Sequence, residues 1–229
     1  MSNEHKLDNP VWYSLAESHQ KLAVKYDNTH FYNPDYCAFG AFNEILNDSQ
    51  DLVAYANLVP SFFIFGTKPN IPQSVLIKDE LLCLQMIVRE RIEIPYTDEI
   101  IKLNEKHRPA LLALVKIVYP EYFKSKTADL GNYYGIFKDN ELVAITGERM
   151  QMNDFIEVSA VITHPEHTGK GYAKQLVAHT ANSIFDQNKT PFLHVAEANV
   201  AAIKLYEKLG FTTRTKISIW QIAANQTQL

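Results

Sequence analysis

Cysteine is scarce. Only Cys37 and Cys83 occur in 229 residues, both in apolar surroundings and neither in a C-x-x-C pair. That is too few for a disulfide framework and fits a reducing compartment. No apolar run approaches the ~20 residues of a membrane-spanning helix. The N-terminus, MSNEHKLDNPVWYSLAESHQ, lacks the basic start and apolar core of a signal peptide. A cytoplasmic protein is expected. There is no basic excess either: the formal net charge is −4, so nucleic acid and anionic membrane are not expected as partners. Motifs are missing too. Glycine falls at 169 and 171 without a G-x-G-x-x-G, Lys170 is followed by glycine where a Walker loop needs Ser or Thr, and no G-x-S-x-G elbow serves a Ser-His-Asp hydrolase. His164 and His167 stand three apart on a turn with no third ligand, so no metal site is expected. His194, on an apolar strand, reads as packing.

What is present is a globular chain, 46% hydrophobic and 21% charged. Residues 1–95 read as a smaller α+β unit. Trp12, Leu15, His19 and Leu22 recur at helical steps, residues 27–40 read as an irregular loop, and LVAYANL, SFFIFG and LLCLQMIV have strand-like content. The run VRERIEIP looks strand-like before a boundary at Pro95. Residues 96–229 then supply a helix capped by Thr97 from Asp98, a helix start at Pro109 and an end at Pro120. After these come two strands about an Asp139-Asn140 turn, the strand DFIEVSAVIT, an amphipathic helix GYAKQLVAHTANSIF, the strand TPFLHVA, a helix stopped by Gly210 and a last strand TKISIWQI.

The stretch THPEHTGKGYAKQL places two glycines between a strand and a helix. A helix N-terminus leaves backbone N–H groups unpaired, and its dipole favours an anion. Gly169 and Gly171 carry no side chain to block a ligand, and Lys170 adds positive charge. Read from these residues alone, the turn is either a tight loop or a cradle for phosphate.

HTGKGYA followed by FLHVAEANVAAIKLYEKLGF resembles the GNAT acetyltransferase superfamily, in particular its FR47-like branch. The family signature, Gln/Arg-x-x-Gly-x-Gly/Ala after the fourth strand, falls on Thr168, Gly169, Lys170, Gly171, Tyr172 and Ala173. The second mark, an Asn seven residues before a Tyr with Gly-Phe after it, falls on Asn199, Tyr206 and Gly210-Phe211. Thr168 departs from the usual Gln or Arg and removes one long donor. The resemblance covers residues 96–229 and implies an α/β fold: a mixed, twisted sheet flanked by helices, its fourth and fifth strands splayed, with the N-terminal unit a possible degenerate copy.

The resemblance also implies chemistry: direct transfer of an acetyl group from acetyl-coenzyme A to a primary amine of a small molecule, amino acid or peptide. The alternatives are a non-catalytic acyl-coenzyme A sensor or a transferase of longer acyl groups. The pyrophosphate would lie on the amides of Gly169 to Ala173. The amides of Val161 and Thr163 would pair with the pantetheine arm, Val161 also polarising the thioester carbonyl. Asn199 would touch the cofactor, unless it is a plain N-cap. Tyr206 would protonate the leaving thiolate, unless it is a core tyrosine. Strand alternation sets Glu157, Ser159, Val161 and Thr163 on one face. Glu157, about 13 Å along the strand from Val161, is the first candidate base and Glu148 the rival. Either could instead be a sheet residue paired with Arg149. Monomer and homodimer remain open.

Overall fold

The computed structural model describes residues 3–43, 50–118 and 123–225. In chain order the elements are α1 (Pro10–Ala16), β1 (Ala23–Lys25), β2 (Thr29–Tyr32), β3 (Phe39–Phe42), α2 (Gln50–Ala56), β4 (Ser61–Phe65) and β5 (Val75–Ile87). They continue with β6 (Ile101–Lys102), α3 (Arg108–Val118), β7 (Tyr133–Lys138), β8 (Glu141–Gln151), β9 (Phe155–Thr163), α4 (Tyr172–Asp186), β10 (Thr190–Ala196), α5 (Val200–Lys208) and β11 (Thr212–Ala224). The strands form one sheet in the order β1-β2-β3-β4-β11-β5-β10-β9-β8-β7-β6. This is the mixed α/β architecture expected from the sequence.

The two long strands β5 and β11 pair antiparallel at the centre, from Thr212 opposite Ile87 to Ala224 opposite Val75. The chain builds a similar unit on each side of them. β1-β2-β3 is an antiparallel meander, followed by α2 and a parallel β4 that pairs antiparallel with β11. β7-β8-β9 is also an antiparallel meander, followed by α4 and a parallel β10 that pairs antiparallel with β5. Helices α4 and α5, with Leu209 at the end of α5, bury Val177, Ala181, Ile184 and Tyr206 against Met86, Val158 and Leu193 on one face. Helix α2 packs Leu52 and Tyr55 on Phe62, Ile64 and Trp220, which alternation along β4 and β11 puts on that same face. The opposite face takes α1 and the turn before it, through Leu7, Val11 and Leu15 on Phe39, Phe192 and Ile219. It also takes α3, through Leu111, Leu114 and Val115 on Tyr133, Ile145 and Ile162.

Local expectations fail where side chains capture backbone. No helix starts at Asp98. The Gln175 side chain, on α4, accepts from the amides of Thr97 (2.7 Å) and Asp98 (3.1 Å) and donates to the Asp98 carboxylate (2.8 Å), holding the segment extended. One turn pair further along α4, Asn182 bonds both the N–H and the C=O of Ile92 (2.9 and 2.8 Å), which keeps VRERIEIP out of the sheet. The first helix stops at Ala16. Its continuation is lost because His19 turns into the core to bond Tyr32 Oη (2.9 Å) and the Leu130 carbonyl (3.0 Å). LVAYANL lies largely in helix α2, and the supposed loop of 27–40 contains β2. Pro109 does start α3; Pro120 lies outside the described residues. No helix among the described residues is long and apolar enough to cross a membrane.

Candidate functional site

The glycine turn has the form the sequence suggested. Gly169 and Gly171 both take left-handed backbone angles, φ 75° and 81°, which L-residues adopt only with strain. Gly171 caps α4 without a side-chain hydrogen bond. The first intrahelical bond runs from Gln175 N–H to Gly171 C=O, so the amides before it point into solvent. A Cβ built on Gly169 or Gly171 would meet no atom within 4 Å. The glycines therefore serve backbone conformation and leave clear space above the amides. Thr168 folds its hydroxyl onto the Pro165 carbonyl (3.1 Å). Lys170 lies beside His167 (3.3 Å), and Tyr172 is buried under the turn beneath the Lys138 ammonium (5.7 Å).

The strand leading to that turn has a free edge. β9 and β10 pair in parallel only at Thr190–Phe155, Pro191–Ile156 and Phe192–Glu157. Beyond Glu157 the two strands separate while each continues, β9 to Thr163 and β10 to Ala196. This is the expected splay. His164 N–H donates to the Val143 carbonyl on β8 (2.8 Å). The amides that alternate with it, Val161 and Thr163, therefore point away from β8 into the opening. Ala160 has φ 50°, and the register with β8 slips between Ile145 and Gly147. This bulge breaks the simple alternation read from the sequence: Val158 and Val161 both join the layer under α4 and α5, while Ala160 and Ile162 join the layer under α3. Val161 is thus on the opposite face from Glu157.

Both candidate glutamates are buried and fully engaged. Glu157 takes two hydrogen bonds from Arg149, at 2.6 and 2.7 Å, and one from His194 Nδ1 at 2.8 Å. Burial disfavours its charge, but the Arg149 guanidinium and the hydrogen bonds from Arg149 and His194 outweigh that and bring its pKa down to about 2. Glu148 points to the other face. It accepts from the Asn132 amide and side chain (3.0 and 3.1 Å), from Gln151 and from Gln187 at the end of α4 (2.9 Å). Neither offers a free carboxylate to the opening.

Asn199 caps α5, its side chain accepting from Ala202 N–H at 3.1 Å. Tyr206 is buried in the layer formed by Val158 of β9 and Leu193 and Val195 of β10, so its helix flanks the splayed arms.

Sequence reasoning missed a polar chain at the vertex of the splay. His194 is 2% exposed in its side chain and faces Gln85 Nε2 at 3.1 Å. Gln85 is oriented by donation to the Leu7 carbonyl (2.7 Å) and by acceptance from Arg214 (2.9 Å). Its NH2 therefore faces His194 Nε2, which makes Nε2 the acceptor and Nδ1–H the donor to Glu157. One signal was available: Arg149 and Glu157 are equidistant from Asn153, so a hairpin centred there sets the two charges opposite each other.

A mixed sheet whose parallel β9–β10 junction parts beyond its first residues, with β9 leading to an anion-ready helix start, defines the acyltransferase fold class suggested by the sequence motifs. The comparisons give the family. The family model for FR47-like proteins matches residues 133–220. A protein from Novosphingobium aromaticivorans, assigned to the GNAT acetyltransferases, is 30% identical with a TM-score of 0.85, over 96% of this chain and 99% of that one. Two further solved structures share the fold at low identity. A GCN5-related N-acetyltransferase from Kribbella flavida has a TM-score of 0.60 at 12% identity over 98% and 96% of the two chains. A GCN5-related N-acetyltransferase-like protein from Streptococcus suis has a TM-score of 0.61 at 14% identity over 96% of each. No curated protein matches. The chain belongs to the GNAT acetyltransferase family, with an FR47-like domain.

Proposed function

We propose that the protein transfers an acetyl group from acetyl-coenzyme A to a primary amine of a small molecule, amino acid or peptide. The observation that carries this reading is the continuity of the unpaired β9 edge with the open amides of α4. An extended amide-bearing arm can pair with Val161 and Thr163, and a pyrophosphate can sit on Gly169 to Ala173 at the end of the same strand. The residues fit the donor: the cradle is unobstructed, has no acidic residue in the first helical turn and has Lys170 beside it.

In this reading the Val161 N–H donates to the thioester oxygen as charge develops there. The amine nitrogen bonds to the carbonyl carbon as the carbon–sulfur bond breaks, and the Tyr206 hydroxyl gives its proton to the departing thiolate. Asn199 fixes the start of the helix that carries Tyr206. Glu157, pressed to a pKa of about 2 by its partners, is poorly matched to removing a proton near neutrality. We assign it to orienting Arg149, and Glu148 to holding the Asn132 loop, with the amine proton leaving to water. The N-terminal unit of residues 1–95 is proposed as a degenerate copy of the unit in 96–229, supported by the repeated meander–helix–parallel strand order.

The tying up of both glutamates also favours a second reading, an acyl-coenzyme A sensor without turnover. Calorimetric titration with acetyl-coenzyme A, paired with thiol release in the presence of amines, separates the two. Binding without amine-dependent release supports the sensor, and no binding removes both.

A further inference from the structure

Arg149 engages Glu157 with only one edge of its guanidinium, through Nε and Nη2. That leaves the end-on fork, Nη1 and the second Nη2 hydrogen, which matches a second planar carboxylate. Nη1 has no hydrogen-bond partner among the described residues, and the side chain is 21% exposed. The guanidinium lies over the Phe39 ring, 4.8 Å from its centroid.

A second donor lies on the neighbouring strand, on the same face. Tyr133 on β7 is 3% exposed, and its hydroxyl has no hydrogen-bond partner among the described residues. Its ring lies flat across Gly147, where a Cβ would come within 2.5 Å of it. Gly147 is two residues before Arg149 on the same strand, and the Arg149 charge acts on the Tyr133 hydroxyl. Both donors are on the face of the sheet that carries Glu157, opposite α4, α5 and the glycine turn. The same face holds the vertex where β9 and β10 part.

We infer that the open guanidinium fork of Arg149 and the Tyr133 hydroxyl bind a carboxylate of the acceptor, so that the amine to be acetylated belongs to an amino-carboxylate. The inference rests on the acyl-transfer reading and adds to it that the acceptor enters from the face opposite the cofactor cradle. Glu157 fixes the guanidinium by its other edge, and His194 and Gln85 fix Glu157 in turn. Arg149 and Tyr133 then determine specificity, while Glu157 and His194 are positioning residues.

The test measures binding, so it does not depend on turnover. The protein saturated with coenzyme A is titrated by calorimetry with the common amino acids and, separately, with their carboxamides. At least one amino acid is expected to bind about 10- to 100-fold more tightly than its amide, the worth of hydrogen bonds to a charged group. Arg149→Lys keeps a cation for Glu157 but loses the fork, and Tyr133→Phe loses only the hydroxyl. Each should reduce that preference while coenzyme A affinity holds; Tyr133→Phe should also keep the melting temperature, whereas Arg149→Lys lowers it by losing one bond to Glu157. If no amino acid binds better than its amide, or if both variants keep the preference, the inference is overturned. Failure of coenzyme A itself to bind would instead remove the acyl-transfer reading, and the anchor with it.

Discussion

Arg149 and Glu157 meet across adjacent strands through two hydrogen bonds of 2.6 and 2.7 Å, with the carboxylate 1% exposed in its side chain. Removing one partner of such a buried pair leaves the other charge uncompensated. Glu157→Gln should therefore destabilise the protein by roughly 3–5 kcal/mol. Arg149→Met combined with Glu157→Gln should cost less than the sum of the single changes. Urea unfolding of the three variants checks this. Additive losses would mean that the pair is not coupled.

Acid should weaken the fold over two successive pH ranges. His19 is buried, and that burial brings its pKa down from 6.5 to about 4 despite the hydrogen bond to Leu130. Its folded pKa is below the unfolded one, so the stability it confers is complete above pH 6.5 and lost as pH falls toward 4. That loss is on the order of 3 kcal/mol. Glu157, also depressed, from 4.5 to about 2, adds a second loss below pH 4.5. Unfolding free energy measured at pH 7, 5.5 and 4.5 should fall in wild type and much less in His19→Gln. Equal slopes would show that another group titrates.

Gly171 sits at φ 81° with open space above it. Valine there would strain the backbone by roughly 1–2 kcal/mol and place its side chain over the helix amides. Acetyl-coenzyme A affinity, read by calorimetry, should be lost while the protein stays folded. Undiminished affinity would take the glycine turn out of the account.

Tyr206→Phe removes one hydroxyl from a buried ring. A thiolate-protonating role predicts roughly a 10²–10⁴-fold fall in turnover with cofactor affinity little changed. A purely structural role predicts about 1 kcal/mol of lost stability and near-normal turnover. Thermal melting and turnover on the same variant decide between them.

The second half of the chain was readable because its elements carry their own signals. Asp139 and Asn140 do take left-handed angles at the hairpin turn (φ 50° and 66°), and Gly210 does so past α5 (φ 88°). TPFLHVA is β10 residue for residue. The first half was less legible because long-range partners decide it. Gln175 and Asn182 hold an extended segment that local pattern read as strand and helix, and His19 ends a helix for bonds to Tyr32 and Leu130. At the site, spacing marked the glycine turn and the family resemblance pointed to Val161, but one bulge at Ala160 put Val161 and Glu157 on opposite faces. His194 looked like packing because the residues that orient it, Glu157 and Gln85, are 37 and 109 positions away.

The most direct measurement is thiol release from acetyl-coenzyme A by the wild-type protein across a panel of primary amines, with Gly171→Val as control. The account predicts release that rises and saturates with at least one amine, yields the N-acetylated product in equal amount by mass spectrometry, and is absent in the glycine variant. Tight acetyl-coenzyme A binding with no release above the amine-free rate would contradict it.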